Sequence, residues 1–118
     1  LFEVSGNRNA TLKSGNPSCK KHKEVAAASL SHLLKEFGDP KMDYIKFDVE
    51  GAEKEALRGC YATIERHSPA LLVSVYHRSE DLFALPLQIS ERFPEYKLYL
   101  RKFRYIPAWD VNLYAVKK

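Results

Sequence analysis

Three observations predict an α/β fold for this chain of 118 residues. The run YIKFDV at 44–49 alternates apolar and polar residues as a half-buried strand does, and it leads at once into the helix-forming AEKEALRGCYATIERH. ALLVSVY at 70–76 is apolar on successive residues, the pattern of a strand covered on both faces. A second helical pattern, EDLFALPLQISERF, separates that strand from two further alternating stretches, YKLYLRKFRY and VNLYAVKK. Two strand–helix–strand crossovers imply three parallel strands, and the short IPAWD connection adds the last strand antiparallel.

The elements follow in chain order. Residues 1–28 are rich in Asn, Gly, Pro and Lys, the chemistry of turns and exposed loops, with LFEV and ATLK able to pair as a hairpin. EVAAAS reads as a modest strand into LSHLLKEF, a short amphipathic helix stopped by Gly38. After YIKFDV, one helix is expected through Ala56, Leu57, Cys60 and Ile64, closed by Pro69. The helix through Leu82, Leu85, Ile89 and Phe93 contains Pro86, which predicts a kink or a break. Residues 29–118 thus read as βαβαββ and residues 1–28 as a loop with a hairpin, within one compact unit.

With 45% hydrophobic residues the chain can bury a core. Its net charge of +4 permits an anionic partner without demanding nucleic acid. The longest apolar stretch, ALLVSV, is far below the roughly 20 residues of a membrane span. Cys19 and Cys60 form no CxxC pair and are expected as reduced thiols. Cys19 and His22 lack a second ligand pair, and no metal site is expected. The cytoplasm is the default compartment.

In open α/β sheets the ligand crevice lies beyond the carboxyl ends of the parallel strands, and two exits here carry reactive side chains. The first holds Asp48, Glu50 and Gly51, with Glu53 opening the next helix; the second holds Tyr76, His77 and Arg78. Asp48 and Glu50, two residues apart on an extended chain, point to one side, and Gly51 lets the backbone turn sharply. The same acids suit the positive N-terminal end of a helix, so capping is the structural alternative. Histidine as a residue type has an ordinary pKa of about 6.5, which suits a general base at neutral pH, so His77 is the candidate base, with Glu53 either backing it or capping the helix.

MDYIKFDVEGAEKEALRGCYATIE, followed by PALLVSVYHRSEDLFALPLQI and YKLYLRKF, resembles the carboxyl-terminal half of FkbM-type, S-adenosylmethionine-dependent methyltransferases. The resemblance implies a Rossmann-like class I methyltransferase sheet from its fourth strand onward, acting by O-methylation of a sugar or other small-molecule hydroxyl. It implies catalytic roles for Asp48, His77 and Glu50, and S-adenosylmethionine contacts from Asp48, Gly51 and Glu53. The family's glycine-rich cofactor loop has no counterpart here, so the cofactor-binding half is expected upstream of Leu1 and the isolated piece is expected to be inactive. Excision would leave the flank of YIKFDV unpaired, an edge open to self-association. Ser31 and His32 stand where the family's short helix carries acids. A non-catalytic basic module using YKLYLRKFRY to bind nucleic acid is the alternative. DYIKFDVEG also resembles the acidic strand of chitinase-like hydrolases, but those barrels need roughly 250 residues.

Overall fold

The computed structural model describes residues 28–102, 104 and 110–118, together with the backbone of three short strands near the start. Those three are β1 (Phe2–Glu3), β2 (Thr11–Leu12) and β3 (His22–Lys23). β1 pairs antiparallel with β2, Phe2 opposite Leu12, as the hairpin expectation required, and β3 lies on its other side. Cys19 and most of IPAWD lie outside the described residues.

The chain then runs α1 (Leu30–Glu36), β4 (Tyr44–Phe47), α2 (Glu53–Gly59), α3 (Tyr61–His67), β5 (Ala70–Ser74), α4 (Asp81–Arg92), β6 (Tyr96–Lys102) and β7 (Val111–Lys117). Of the EVAAAS segment, Ala28 and Ser29 are not strand. Ser29 instead caps α1, its hydroxyl accepting from the His32 N–H. Ser31 points inward and bonds Thr63 Oγ1 at 2.8 Å, tying α1 to α3.

The single helix expected after YIKFDV is two. Gly59 is a poor helix former, and its carbonyl accepts from Ser31 Oγ at 3.3 Å, so the chain re-starts at Tyr61 after Cys60. Pro86 does not divide α4, which is continuous. Pro86 removes one N–H from the ladder, but Leu85 and Ile89 beside it are completely buried and fix the helix against the core.

The four-stranded sheet has the order β4-β5-β7-β6. β4 and β5 are parallel, Ile45 opposite Leu71 and Phe47 opposite Val73. β7 is antiparallel to both β5 and β6. This corrects the expectation of three parallel strands with one added antiparallel. β6 does share the direction of β4 and β5, but β7 inserts between, so β4–β5 is the one parallel pair in this sheet. Burial explains the order: Leu113 and Ala115 of β7 are completely enclosed, whereas β6 carries Lys97, Arg101 and Lys102 and tolerates the edge.

Two rows cross the sheet on one face, Ile45–Leu71–Ala115–Leu98 and Phe47–Val73–Leu113–Leu100, buried from β4 to β7 and open to solvent at Leu100 on β6. Leu57, Ile64, Leu85, Ile89 and Phe93 join this face in one apolar cluster. Each fully buried Leu or Val there is worth roughly 1.5–3 kcal/mol. Tyr96 donates to the Pro69 carbonyl at 2.9 Å, and burial pushes its phenol up to about 12. Cys60 is a free, buried thiol, raised by burial to about 11. Among the described residues no helix is long and apolar enough to cross a membrane.

Candidate active site

The exits of β4 and β5 are adjacent because the two strands are parallel neighbours, and each ends in polar residues. Asp48 follows β4 directly. Ser74 closes β5, and Tyr76 and His77 come two and three residues later. Backbone turning then decides where the acids go. Glu50 and Gly51 both adopt left-handed conformations, φ 54° and 94°. A non-glycine residue held there costs on the order of 1–3 kcal/mol and is found where the surroundings enforce it. At Gly51 a Cβ would also lie 3.1 Å from the Arg78 Nε, so the corner accepts only glycine without rearrangement.

This double turn swings the start of α2 inward and seals Glu53 completely from solvent. Glu53 Oε1 accepts the Val49 N–H at 2.9 Å and lies 2.7 Å from His77 Nδ1. Its carboxylate therefore does not serve as a side-chain cap of α2; the Ala52 cap position has none. The other ring nitrogen, His77 Nε2, stands 3.6 Å from Asp48 Oδ1 and 3.7 Å from Glu50 Oε2. Three predicted carboxylates thus converge on the predicted imidazole: Glu53 behind it, Asp48 and Glu50 in front. Gly51 supplies the turn that brings them there.

Asp48 is held on three sides. Ser74 Oγ donates to Oδ1 at 3.1 Å, the Tyr76 hydroxyl reaches the same oxygen at 3.5 Å, and Lys46 Nζ lies 2.9 Å from Oδ2. Burial works to raise the Asp48 carboxyl, but the bonds from Lys46 and Ser74, with the nearby His77, outweigh it and hold it below its ordinary value. Sequence reading missed Lys46 and Ser74 as partners. Strand alternation carries the signal: Lys46 and Asp48 are two apart, as are Ser74 and Tyr76, and each pair shares a face. Behind Glu53, Asp81 is buried, and burial together with the charge of Glu53 pushes its carboxyl up. Glu53 Oε2 and Asp81 Oδ2 are both enclosed without a hydrogen-bond partner. Among the described residues, no group of three or more His, Cys, Asp or Glu side chains is arranged to hold a metal ion.

The lowered Asp48 pKa predicts a pH dependence of stability. With the folded value below the unfolded one, the contribution is complete above the ordinary carboxylate pKa of about 3.9 and is lost as pH falls through the folded value. Urea midpoints of wild type and Asp48→Asn are therefore expected to differ at pH 6 and to converge toward pH 2. A gap that persists unchanged in acid rules the Lys46–Asp48 pair out as its source.

The FkbM methyltransferase domain matches residues 2–107 of the chain. The chain belongs to the FkbM methyltransferase family. A solved structure, methyltransferase FkbM from Methylobacillus flagellatus KT, is similar at 38% identity with a TM-score of 0.60, over 70% of this chain and 22% of that one. The chain therefore spans about a fifth of that FkbM protein's length. No curated protein matches. Membership makes this a methyltransferase-family α/β sheet in which the Asp48–Glu50–Glu53–His77 cluster stands at the exits of the two parallel strands.

Proposed function

We propose that this FkbM sequence forms the catalytic wall of an S-adenosylmethionine-dependent methyltransferase acting on a hydroxyl group, as part of a longer enzyme. The observation that carries the reading is the His77 ring, fixed at Nδ1 by a fully buried carboxylate and presenting Nε2 between two rim carboxylates. A carboxylate only accepts, so Glu53 selects the tautomer with the proton on Nδ1 and leaves the Nε2 lone pair facing outward.

S-adenosylmethionine, when bound, supplies an electrophilic methyl group on a sulfonium. The residues fit the positively charged end of that cofactor: Asp48 and Glu50 place two partly exposed carboxylates at the strand exits. No glycine-rich turn for its nucleoside occurs in the sequence, so that part of the pocket belongs to the remainder of the enzyme, which we place along the outer edge of β4. The acceptor hydroxyl gives its proton to His77 Nε2. Glu53, Asp48 and Glu50 then stabilise the imidazolium from both sides, while Ser74 and Lys46 keep Asp48 from swinging away. A positioned base of this kind contributes about 10²–10⁴-fold.

The test is chemical. The intact protein, given S-adenosylmethionine labelled in its methyl group and a panel of sugars and small alcohols, is expected to place label in an alkali-stable ether. Label appearing in an alkali-labile ester or on nitrogen, or no transfer to any alcohol, overturns the hydroxyl assignment.

A further inference from the structure

We propose that the hydroxyl acceptor is an acidic sugar, a hydroxylated ring bearing an anionic group, with the anion bound by Arg78 and the ring resting on Tyr76. The inference rests on the reading of His77 as the base and names the kind of acceptor that base serves. Tyr76 and Arg78 flank His77 in the chain and reach opposite sides of it. The Tyr76 hydroxyl stands 3.5 Å from Asp48 Oδ1, and its ring centroid lies 4.3 Å from that of the imidazole at an angle of 51°. Arg78 turns the other way and runs along Gly51, next to Glu50: a Cβ on Gly51 would stand 3.1 Å from its Nε, 3.7 Å from its Cγ and 3.8 Å from its Nη2. His77 Nε2 lies between Asp48 and Glu50. A molecule whose hydroxyl meets Nε2 therefore has the tyrosine ring on one flank and the guanidinium on the other.

Arg78 is exposed, yet it is placed rather than loose. Its carbonyl accepts the Asp81 N–H at 3.1 Å and its own N–H donates to the Asp81 carboxylate, which pins the backbone twice. Gly51, lacking a side chain, leaves the space in which the arginine stem lies. The guanidinium forms no salt bridge with a described residue, although Glu50 and Asp81 belong to the same corner; Lys46, the other cation at these strand exits, is paired with Asp48. A guanidinium held in place without a counter-charge is a rigid fork of donors that matches a carboxylate or phosphate in two bonds. Its sign also sorts the two ligands, because a sulfonium is drawn to Asp48 and Glu50 and repelled by Arg78. Tyr76 adds a requirement of shape. Half-buried at the rim, it offers an apolar ring face to the C–H face of a sugar and a hydroxyl to its polar edge.

The test measures binding apart from methyl transfer. Glucuronate, glucose 6-phosphate, glucose and lactate are titrated calorimetrically into the intact protein in the presence of S-adenosylhomocysteine. One or both of the acidic sugars are expected to bind at least tenfold more tightly than glucose, which lacks the anion, and than lactate, which lacks the ring; the tighter of the two identifies the anion. Arg78→Met is expected to remove that advantage while leaving glucose and S-adenosylhomocysteine unaffected, Arg78→Lys to restore part of it, and Tyr76→Leu to weaken acidic and neutral sugars alike by several-fold. Circular dichroism checks that the variants are folded. Acidic sugars that bind no better than glucose, or an affinity indifferent to Arg78→Met, overturn the proposal. So does a loss of S-adenosylhomocysteine affinity in Arg78→Met, which would give the guanidinium to the carboxylate of the cofactor. Acidic-sugar binding that depends on Arg78, without label reaching any alcohol, refutes the hydroxyl-transfer reading alone and upholds the anion site.

Discussion

The His77→Gln variant is expected to transfer methyl groups about 10²–10⁴-fold more slowly than wild type at saturating substrate, with stability changed by no more than about 1–2 kcal/mol. Glutamine can still donate an amide N–H toward Glu53, so the buried carboxylate keeps a partner, but it has no lone pair basic enough to remove a proton. The loss therefore falls on kcat rather than on KM, as for an interaction made in the transition state. Asp48→Asn tests the opposite side of the ring. It removes a charge 3.6 Å from Nε2 and the partner of Lys46, so the rate falls while Ser74 still has an acceptor. Near-wild-type rates in both variants eliminate the base assignment, and the alkali-stable product then needs another proton acceptor.

The convergence of Asp48 and His77 was legible in the sequence because it depends on two robust features. Consecutive strands joined by a helix run parallel, and parallel neighbours end on the same edge, so a polar residue just past each strand meets its counterpart. For Glu53 the sequence leaves two roles open, backing His77 or capping the helix, because an acid in the first turn satisfies the capping pattern equally well; the left-handed pair Glu50–Gly51 decides by turning it inward to the imidazole. The place of β7 was hidden for a different reason. A hairpin has the same alternation whichever of its strands takes the edge, and the choice is made by burial of Leu113 and Ala115 against β5. The division of the second helix at Gly59 likewise depends on a hydroxyl, Ser31, that is 28 residues distant in the chain.

Glu53→Ala is expected to cost about 3–5 kcal/mol of stability, from two orphaned donors and a cavity. The cost has identifiable parts. The Val49 N–H and His77 Nδ1 lose their shared acceptor inside a sealed pocket, each orphaned group worth roughly 1–3 kcal/mol, and a cavity replaces the carboxyl. Glu53→Gln separates this structural loss from a catalytic one. Its amide oxygen can occupy the Oε1 position and accept both bonds, and its NH2 group would stand where Oε2 now lies enclosed and unsatisfied. Stability is therefore expected to return to within about 1 kcal/mol of wild type. Activity is not expected to return, because a neutral amide orients the ring but leaves the imidazolium formed during proton transfer without its buried counter-charge. The expected signature is a stable enzyme with lowered kcat and little change in KM. If Glu53→Gln keeps full activity, Glu53 merely holds the Val49 corner, and its contact with His77 does not contribute to proton transfer.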